Sequence, residues 1–258
     1  MARDIRRGKG VLEIDEARLR KVWEEQKAGK GLIGGDPRRR PRWVHPIPEE
    51  PAPWFRLGQS SPEHRERLIK FLTEAPAEIE IGAGSGHFIV DWAQRHPRRH
   101  FLAFEVRWKY ANKIYRKLMK RGLTNLWVSD DDARVTISEV VPDESIEVFH
   151  ILMPDPWWRP KHQAKRIFSP WFIDVLARKL KPGGIIRFET DVVGYPEFVD
   201  RLVAEHPLLL PHNPALAEQF QGATLTIRQQ WCVEHDIPIF KRFYQRRASV
   251  SQDGDEKA

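Results

Sequence analysis

The stretch "EIEIGAGSGHF", residues 78–88, joins a short β-type run to the start of an amphipathic segment through three closely spaced glycines. Glycine has no Cβ atom, so Gly82, Gly84 and Gly86 let the backbone turn tightly and approach a ligand closely. The spacing is G-x-G-x-G, and His87 stands where the dinucleotide fingerprint G-x-G-x-x-G has its third glycine. A strand, a glycine-rich turn and a helix in this order predict a ligand-binding loop.

From residue 62 onward, short apolar runs alternate with helix-length amphipathic stretches, which is the pattern of a parallel sheet covered by helices. The predicted strands are Glu78–Ile81, Phe101–Phe104, Leu126–Val128, Ile146–Met153 and Ile185–Glu189. The predicted helices are Gly86–Arg95, Trp108–Arg121, Pro170–Leu180 and Pro196–Ala204. Two later strands are predicted at Thr224–Val233 and Ile239–Gln245. We therefore expect an α/β fold with a doubly wound, mostly parallel, Rossmann-like sheet and a C-terminal antiparallel strand pair.

The chain divides into a basic, proline-rich extension at residues 1–60, a main domain at residues 61–247 and a polar tail at residues 248–258. A short helix is predicted at Asp15–Ala28. The segment "DPRRRPRW", residues 36–43, offers four arginines and a tryptophan on a chain that proline keeps from becoming helical. It is either a solvated linker or an arm that binds phosphates and stacks on a base.

Three acidic residues lie at the ends of three successive predicted strands, whose carboxyl ends meet at one edge of a parallel sheet. Glu80 can accept a hydrogen bond from an ammonium group and would repel a phosphate. Glu105 can bind both hydroxyls of a ribose, and Asp132 can accept from an adenine amino group. Together with the glycine loop they predict S-adenosylmethionine as cofactor. The alternatives are exposed loop carboxylates or, for residues 130–132, a helix cap.

The stretch "FHILMPDPWWRPKHQAKR", residues 149–166, carries a carboxylate to the same edge. Pro154 and Pro156 restrict the backbone on both sides of Asp155. Trp157 and Trp158 are predicted to form a wall of the pocket. Positive charge beside it is expected from Arg159, Lys161, His162, Lys165 and Arg166. Aromatic faces with nearby cations are typical of sites that hold an unstacked base, whereas the alternative is a solvated loop with core tryptophans.

Taken together, these motifs resemble the bacterial tRNA (guanine-N7)-methyltransferases, whose sequence after the fourth strand reads approximately P-D-P-W-x-K-x-R-H-x-K-R-R. Here the motif is "PDPWWRPKHQAKR", and the likeness extends over about residues 77–246 through "EIGAGSG", "FEVRWKYANK", "DDA" and "ETDVVGY". The resemblance implies a Rossmann-like methyltransferase sheet and transfer of a methyl group from S-adenosylmethionine to N7 of a guanine in the variable region of tRNA.

The resemblance also implies roles for single residues. It assigns cofactor contacts to Glu80, Glu105 and Asp132 beside the glycine loop. It gives Asp155 a catalytic or guanine-holding role next to the cofactor, and it makes Asp191 a substrate contact.

The sequence departs from the family pattern at several predicted substrate contacts. Arg159 stands where the family has lysine, which keeps the charge and changes its shape. Thr226–Gln229, "TIRQ", aligns with a family T-x-x-E, so Gln229 offers an amide in place of a carboxylate. The arginine and glycine that usually follow are not found in "QWC". In a strand, Thr226 and Gln229 would point to opposite faces and could meet one ligand only at a strand end or bulge.

The chain carries 43 Lys and Arg against 36 Asp and Glu, a formal net charge of +7 that favours a polyanionic partner such as tRNA. The helix predicted at Trp108–Arg121 has an apolar stripe of Ala111, Ile114, Tyr115 and Leu118. Its outer face carries Arg107, Lys109, Lys113, Arg116, Lys117, Lys120 and Arg121. Such a face is usually only solvated, but its position after Glu105 predicts that it extends an RNA footprint.

Other protein classes are excluded or kept as alternatives. The single cysteine, Cys232, rules out an internal disulfide framework and is expected to pack as a reduced thiol. No apolar run approaches the ~20 residues of a membrane span, and we expect a cytoplasmic protein without membrane contact. The alternatives are an NAD-dependent oxidoreductase, a noncatalytic RNA-binding relative and a methyltransferase for another RNA or base. The protein is expected to be a monomer or a homodimer.

Overall fold

The computed structural model describes residues 45–248. The helix predicted at Asp15–Ala28, the segment "DPRRRPRW" and residues 249–258 of the predicted tail lie outside the described residues. Within the described part, helices cover both faces of one seven-stranded sheet. No helix in this part of the chain is both long and apolar enough to cross a membrane.

The sheet confirms the expected fold class. Its strands are β1 (Trp54–Phe55), β2 (Ala77–Ile81), β3 (His100–Phe104), β4 (Leu126–Ser129), β5 (Ile146–Leu152), β6 (Leu180–Thr190) and β7 (Phe240–Gln245). Their order across the sheet is β1-β4-β3-β2-β5-β6-β7. All neighbours are parallel except the last pair, in which β7 runs antiparallel to β6 with Ile185 opposite Gln245.

The folded domain begins before residue 61, where the sequence predicted its start. Trp54 and Phe55 pair with β4 as an edge strand, and both side chains are buried. Asp130, which follows β4, accepts a hydrogen bond from Trp54 Nε1 at 3.1 Å and forms an ion pair with Arg56. These contacts attach the chain before residue 61 to the sheet.

Seven α-helices are found in the described residues. They are α1 (Pro62–Glu74), α2 (His87–Arg95), α3 (Trp108–Arg121), α4 (Ala133–Val140), α5 (Pro170–Lys179), α6 (Tyr195–Ala204) and α7 (Ile227–Glu234). Two 3-10 segments lie at Pro160–Lys165 and Pro214–Phe220. The four predicted helices are present as α2, α3, α5 and α6, each with ends within one residue of the predicted ones. The sequence reading missed α1 and α4.

The strand predicted at Thr224–Val233 is wrong, because this segment contains α7. Thr226 is the N-cap residue, and its Oγ1 accepts a hydrogen bond from the backbone N–H of Gln229 at 3.2 Å. Gln229 Oε1 accepts in return from the backbone N–H of Thr226 at 2.8 Å. This reciprocal pair is a capping box, which favours a helix start over the β-propensity of the preceding residues. The antiparallel addition to the sheet is therefore β7 against β6.

The layers of the fold determine where a ligand can bind. Helices α1, α4, α5 and α6 cover one face, and α2, α3 and the segment at residues 214–220 cover the other. The strand order reverses between β2 and β5, which are direct neighbours. In open α/β sheets, ligands bind outside the carboxyl ends of the strands at such a switch point. The glycine loop leaves β2 and the P-D-P motif leaves β5, so the two motifs meet there.

Two glycines in left-handed conformations provide a matched stability test of the loop packing. Gly86 has φ 72°, and a Cβ atom added to it would lie 2.8 Å from Ile114 Cγ1. Gly122 has φ 62° at the end of α3, with nothing within 4 Å of an added Cβ. Both alanine variants incur the left-handed cost of ~1–2 kcal/mol, and only Gly86→Ala adds overpacking of ~1–3 kcal/mol.

We expect Gly86→Ala to lower the free energy of unfolding, measured by urea denaturation, by ~1–3 kcal/mol more than Gly122→Ala does. Equal losses in the two variants would show that the close packing of the glycine loop against α3 is not a constraint.

Candidate active site

A cavity of about 420 Å³ opens at the carboxyl ends of β2 and β5. Its walls are the glycine loop, the turn at the start of α3, the end of β5 and the start of α7. Aromatic surface comes from Tyr110 and Trp231, which the sequence analysis did not single out. Neither Trp157 nor Trp158, the predicted wall, lines this cavity.

A second cavity of about 450 Å³ lies at the opposite edge of the sheet. Its charged side chains are already paired, since Arg99 Nη1 donates to Glu78 at 3.0 Å and to Glu147 at 2.6 Å. None of the predicted site residues lines it. The candidate site is therefore the cavity at the switch point, and we call it the switch-point cavity.

The glycine loop forms an open backbone cradle on one wall of the switch-point cavity. Gly82 and Gly84 have φ 81° and 55°, and an added Cβ on either would meet nothing within 4 Å. The N–H groups of Gly82 and Ala83 donate to the carbonyl of Phe104 at 2.8 and 2.9 Å, which fixes the loop to β3. The open space above this backbone fits the close approach of a cofactor that the sequence predicts.

Glu105, at the end of β3, braces this cradle. Its Oε2 accepts a hydrogen bond from the N–H of Gly84 at 2.9 Å. Its Oε1 accepts from the backbone N–H of Arg107 at 3.0 Å and from Arg107 Nε at 2.9 Å. A carboxylate has about four acceptor sites, so these three bonds leave little capacity for further donors. The predicted ribose contact of Glu105 stays a prediction.

Glu80 is buried beside the glycine loop and does not line the switch-point cavity. Its Oε2 has no hydrogen-bond partner among the described residues. Burial raises the pKa of this carboxyl to about 8, against the opposing effect of the Arg187 charge. The predicted ammonium contact of Glu80 stays a prediction, because the carboxyl is closed off from the switch-point cavity and burial favours its protonated form.

Asp132 has a structural role in addition to its predicted adenine contact, which stays a prediction. It is the N-cap residue of α4 and accepts from the backbone N–H of Arg134 at 3.0 Å. It also forms a buried two-point pair with Arg134, whose Nε and Nη2 lie 2.9 and 2.7 Å from its two oxygens. The helix cap that the sequence offered as the alternative is thus present.

Asp155 lies exposed on the loop that follows β5. Met153 and Trp157, on either side of the P-D-P motif, have φ values of 55° and 46°, which are sparsely populated for residues other than glycine. A hydrogen bond to Glu105 and, more weakly, the charge of Asp155 raise the pKa of the Arg107 guanidinium. Asp155 follows Met153, which lines the switch-point cavity, by two residues, so the carboxylate belongs to the loop that leaves this wall.

Arg166 shapes this loop and does not supply the exposed charge that the sequence predicted. The side chain is buried, and its Nε donates to the carbonyl of Pro156 at 2.8 Å. Its guanidinium also lies 5.3 Å from the ring of Trp158. Trp157 packs against His162 beside the loop. Arg159 is exposed on the same segment, where its substrate contact stays a prediction.

The start of α7 forms the wall opposite the glycine loop. Thr226 lines the cavity, whereas Gln229 is buried and turned towards the sheet. Gln229 Nε2 donates to Glu189 on β6 at 2.6 Å, and Arg187 Nε donates to the same carboxylate at 2.7 Å. Asp191 forms an ion pair with Arg228. Thr226 and Gln229 thus cap the same helix start, and only Thr226 of the two lines the cavity. The substrate contacts predicted for Thr226, Gln229 and Asp191 stay predictions.

Residues 74–231 match the family model Methyltransf_4, "Putative methyltransferase". The match covers more than half of the chain, so this protein belongs to that methyltransferase family. A tRNA (guanine-N(7)-)-methyltransferase of Myxococcus xanthus is 38% identical over 123 residues, which are 48% of this chain and 60% of the relative. One of Chromohalobacter salexigens is 35% identical over 155 residues, which are 60% of this chain and 63% of the relative.

These relatives confirm the resemblance found in the sequence, and the matched part spans less than two thirds of either of them. Among solved structures, the 16S rRNA methyltransferase KamB superposes with a TM-score of 0.51 at 17% identity, covering 72% of this chain and 94% of that one. At this identity the similarity shows the fold alone.

The buried carboxyl of Glu80 predicts a pH-dependent stability. Its pKa is raised from 4.5 to about 8 by burial, so the folded protein keeps a proton that the unfolded chain releases between those values. Stability therefore falls as pH rises through this window, by up to ~1.4 kcal/mol per pH unit. Glu80→Gln has no proton to lose, and its stability relative to wild type should increase from about pH 5 to about pH 8.

Urea unfolding across this pH range measures the effect, with Glu147→Gln, a partly exposed glutamate, as the control. A constant difference between Glu80→Gln and wild type would contradict the buried, protonated state of Glu80.

Proposed function

We propose that this protein transfers a methyl group from S-adenosylmethionine to N7 of a guanine in tRNA. One observation carries the proposal. At the switch point of a methyltransferase-family sheet, the open glycine cradle and the exposed Asp155 lie on the loops that leave neighbouring strands. The named activity of the relatives supports the same reaction. A tRNA substrate also implies a cytoplasmic location.

The cofactor would be held by the glycine loop with Glu80, Glu105 and Asp132. When bound, S-adenosylmethionine supplies an electrophilic methyl group. The backbone of Gly82 and Gly84 is open enough for close approach. An ammonium group of the cofactor beside Glu80 would favour the ionised form of this carboxyl and give its Oε2 a partner.

Methylation at guanine N7 demands little proton chemistry from the protein. N7 carries a lone pair and no proton, so no general base is needed to create the nucleophile. Holding the base in line with the methyl group can supply ~7–11 kcal/mol. The purine becomes positively charged as the bond forms, and the Asp155 carboxylate would stabilise that charge. Alternatively, Asp155 accepts from the guanine N1 and N2 hydrogens and selects guanine over adenine.

The cations on the outer face of α3 support the proposed binding of tRNA, except for Lys117, which the sequence had counted among them. Lys113 and Arg116 are exposed on α3, and Lys113 Nζ lies 5.2 Å from the ring centroid of Tyr110, which lines the switch-point cavity. Lys117 is different, because its Nζ donates to the carbonyl of Ser85 at 2.7 Å. Burial and the neighbouring charges of Arg121 and Lys113 lower the pKa of Lys117. Lys117 therefore holds the glycine loop and is not counted as an RNA contact.

Incubation of the purified protein with labelled S-adenosylmethionine and total bacterial RNA, followed by nucleoside mass spectrometry, tests the proposal. We expect 7-methylguanosine in the tRNA fraction. A different modified nucleoside would favour the methyltransferase for another base. Calorimetry distinguishes the remaining alternatives: cofactor binding without methylation indicates a noncatalytic relative, and tight NAD binding indicates an oxidoreductase.

The role of Asp155 is tested by Asp155→Asn, which removes the charge and keeps the shape. We expect kcat/KM for tRNA to fall about 100-fold or more, as for loss of one transition-state contact. The exposed position of Asp155 predicts an unchanged melting temperature. The control is Asp174→Asn on α5, a half-exposed aspartate that does not line the cavity. Near-normal turnover of Asp155→Asn would refute the assignment.

The cations of α3 are tested by the double variant Lys113→Ala/Arg116→Ala. Loss of phosphate contacts should weaken tRNA binding and flatten the dependence of log K on log salt by up to about 2. The matched control is Arg67→Ala/Lys70→Ala on α1, two exposed cations on the opposite face of the sheet. The same slope in both double variants would remove α3 from the RNA footprint.

A further inference from the structure

We propose that Arg228, stacked on Trp231, is a substrate-binding residue that presents a flat guanidinium surface to a base of the substrate RNA. Asp191, which the resemblance makes a substrate contact, acts in this proposal as the residue that positions Arg228. The inference rests on the proposed function, since it names the part of the chain that receives a base at the same cavity.

The first observation is a column of planar groups along one side of α7. The guanidinium carbon of Arg228 lies 4.1 Å from the ring centroid of Trp231. Trp231 stacks in turn on His235, with ring centroids 4.4 Å apart and an interplanar angle of 24°. The spacing of three and four residues places the three groups on the same side of the helix. Arg228 ends the column where α7 forms the wall of the switch-point cavity.

The second observation is the way in which Asp191 holds Arg228. Asp191 Oδ2 accepts from Arg228 Nε at 3.1 Å and forms an ion pair with Arg228 Nη2. The Asp191 side chain is 9% exposed and that of Arg228 is 39% exposed. The aspartate is thus buried behind the arginine, while a large part of the arginine remains open to a ligand.

The charge balance selects the kind of ligand. Asp191 neutralises Arg228, and its carboxylate would repel a phosphate placed beside the pair. A neutral planar group is favoured, because RNA bases stack on guanidinium planes and aromatic faces in proteins that bind unpaired nucleotides. The other arginine on the cavity wall, Arg107, donates to Glu105, the carboxylate that also holds the N–H of Gly84 in the glycine loop proposed to bind the cofactor. The α7 side of the cavity is therefore the side for the base.

A lysine substitution separates stacking from charge. Arg228→Lys keeps the positive charge and removes the plane, whereas Arg228→Ala removes both. We expect both variants to weaken tRNA binding by about tenfold, measured by fluorescence anisotropy in the presence of S-adenosylhomocysteine. The dissociation constant for S-adenosylhomocysteine, measured by calorimetry, should stay within about twofold of wild type. The control is Arg178→Lys, from an exposed Arg–Asp pair on α5.

Two results would overturn the role of Arg228. Wild-type affinity for tRNA in Arg228→Lys would mean that only its charge matters, as in a phosphate contact. Weaker binding of S-adenosylhomocysteine would make Arg228 a cofactor residue. Trp231→Phe tests the underlying ring: it should retain tRNA affinity, and Trp231→Ala should lose it.

The positioning role of Asp191 requires a double-mutant cycle. Asp191→Asn should weaken tRNA binding in the wild-type background and have no further effect in Arg228→Lys. Additive losses would show that Asp191 contacts the RNA directly.

The binding assays are independent of turnover, so failure of this inference differs from failure of the proposed function. A wild-type protein that binds tRNA and does not form 7-methylguanosine refutes the function alone, and the Arg228 variants still decide the inference. A wild-type protein that does not bind RNA refutes both.

Discussion

The carboxylate of Glu105 links the parts of the site that must keep a fixed spacing. One oxygen holds the N–H of Gly84, and the other holds the backbone and side chain of Arg107 at the start of α3. The cradle, the end of β3 and the first turn of α3 are thereby joined through one buried group. Lys117 adds a second link from α3 to the Ser85 carbonyl. The proposed methyl transfer requires the cofactor and the base to be held at a fixed distance and angle, and small displacements lower the rate strongly. The hydrogen bonds of Glu105 and Lys117 fix the loop on which that distance depends.

Beneath the site, ionisable residues lie on the buried face of the sheet that α2 covers. Glu78 bonds with His150 at 2.7 Å, and Arg187 and Gln229 both donate to Glu189. Paired buried charges of this kind contribute little net stability but are costly to break singly. The Gln229–Glu189 contact fixes α7 on β6. No local sequence pattern could have revealed the Glu78–His150 and Gln229–Glu189 contacts, because each joins residues far apart in the chain.

The sequence correctly predicted four of the seven helices and the edge of the sheet at which the glycine loop and the P-D-P motif meet. Amphipathic periodicity and glycine turns are local signals, which is why they could be recognised. Trp108–Arg121 was obtained with both ends correct from its apolar stripe. Thr226–Gln229 was misread as strand, although T-x-x-Q is itself a capping-box signal. The pairing of Asp132 with Arg134 was also missed. Long-range packing could not be predicted in the same way. Nothing in "PDPWW" indicates that Arg166 is buried against carbonyl groups of this segment. Nor does it indicate that Trp231, and not Trp157 or Trp158, lines the cavity.

The two walls of the cavity are built from separate parts of the chain. The cradle depends on β2, β3 and α3, whereas α7 is held by its own capping box and by contacts to β6 and the residue after it. Residues on α7 can therefore be exchanged without disturbing the cradle. This arrangement explains physically how "TIRQQW" can depart from the family pattern while "EIGAGSG" follows it. Under the proposed function, substitutions on α7 would change the choice of substrate while the cofactor-binding cradle keeps its structure.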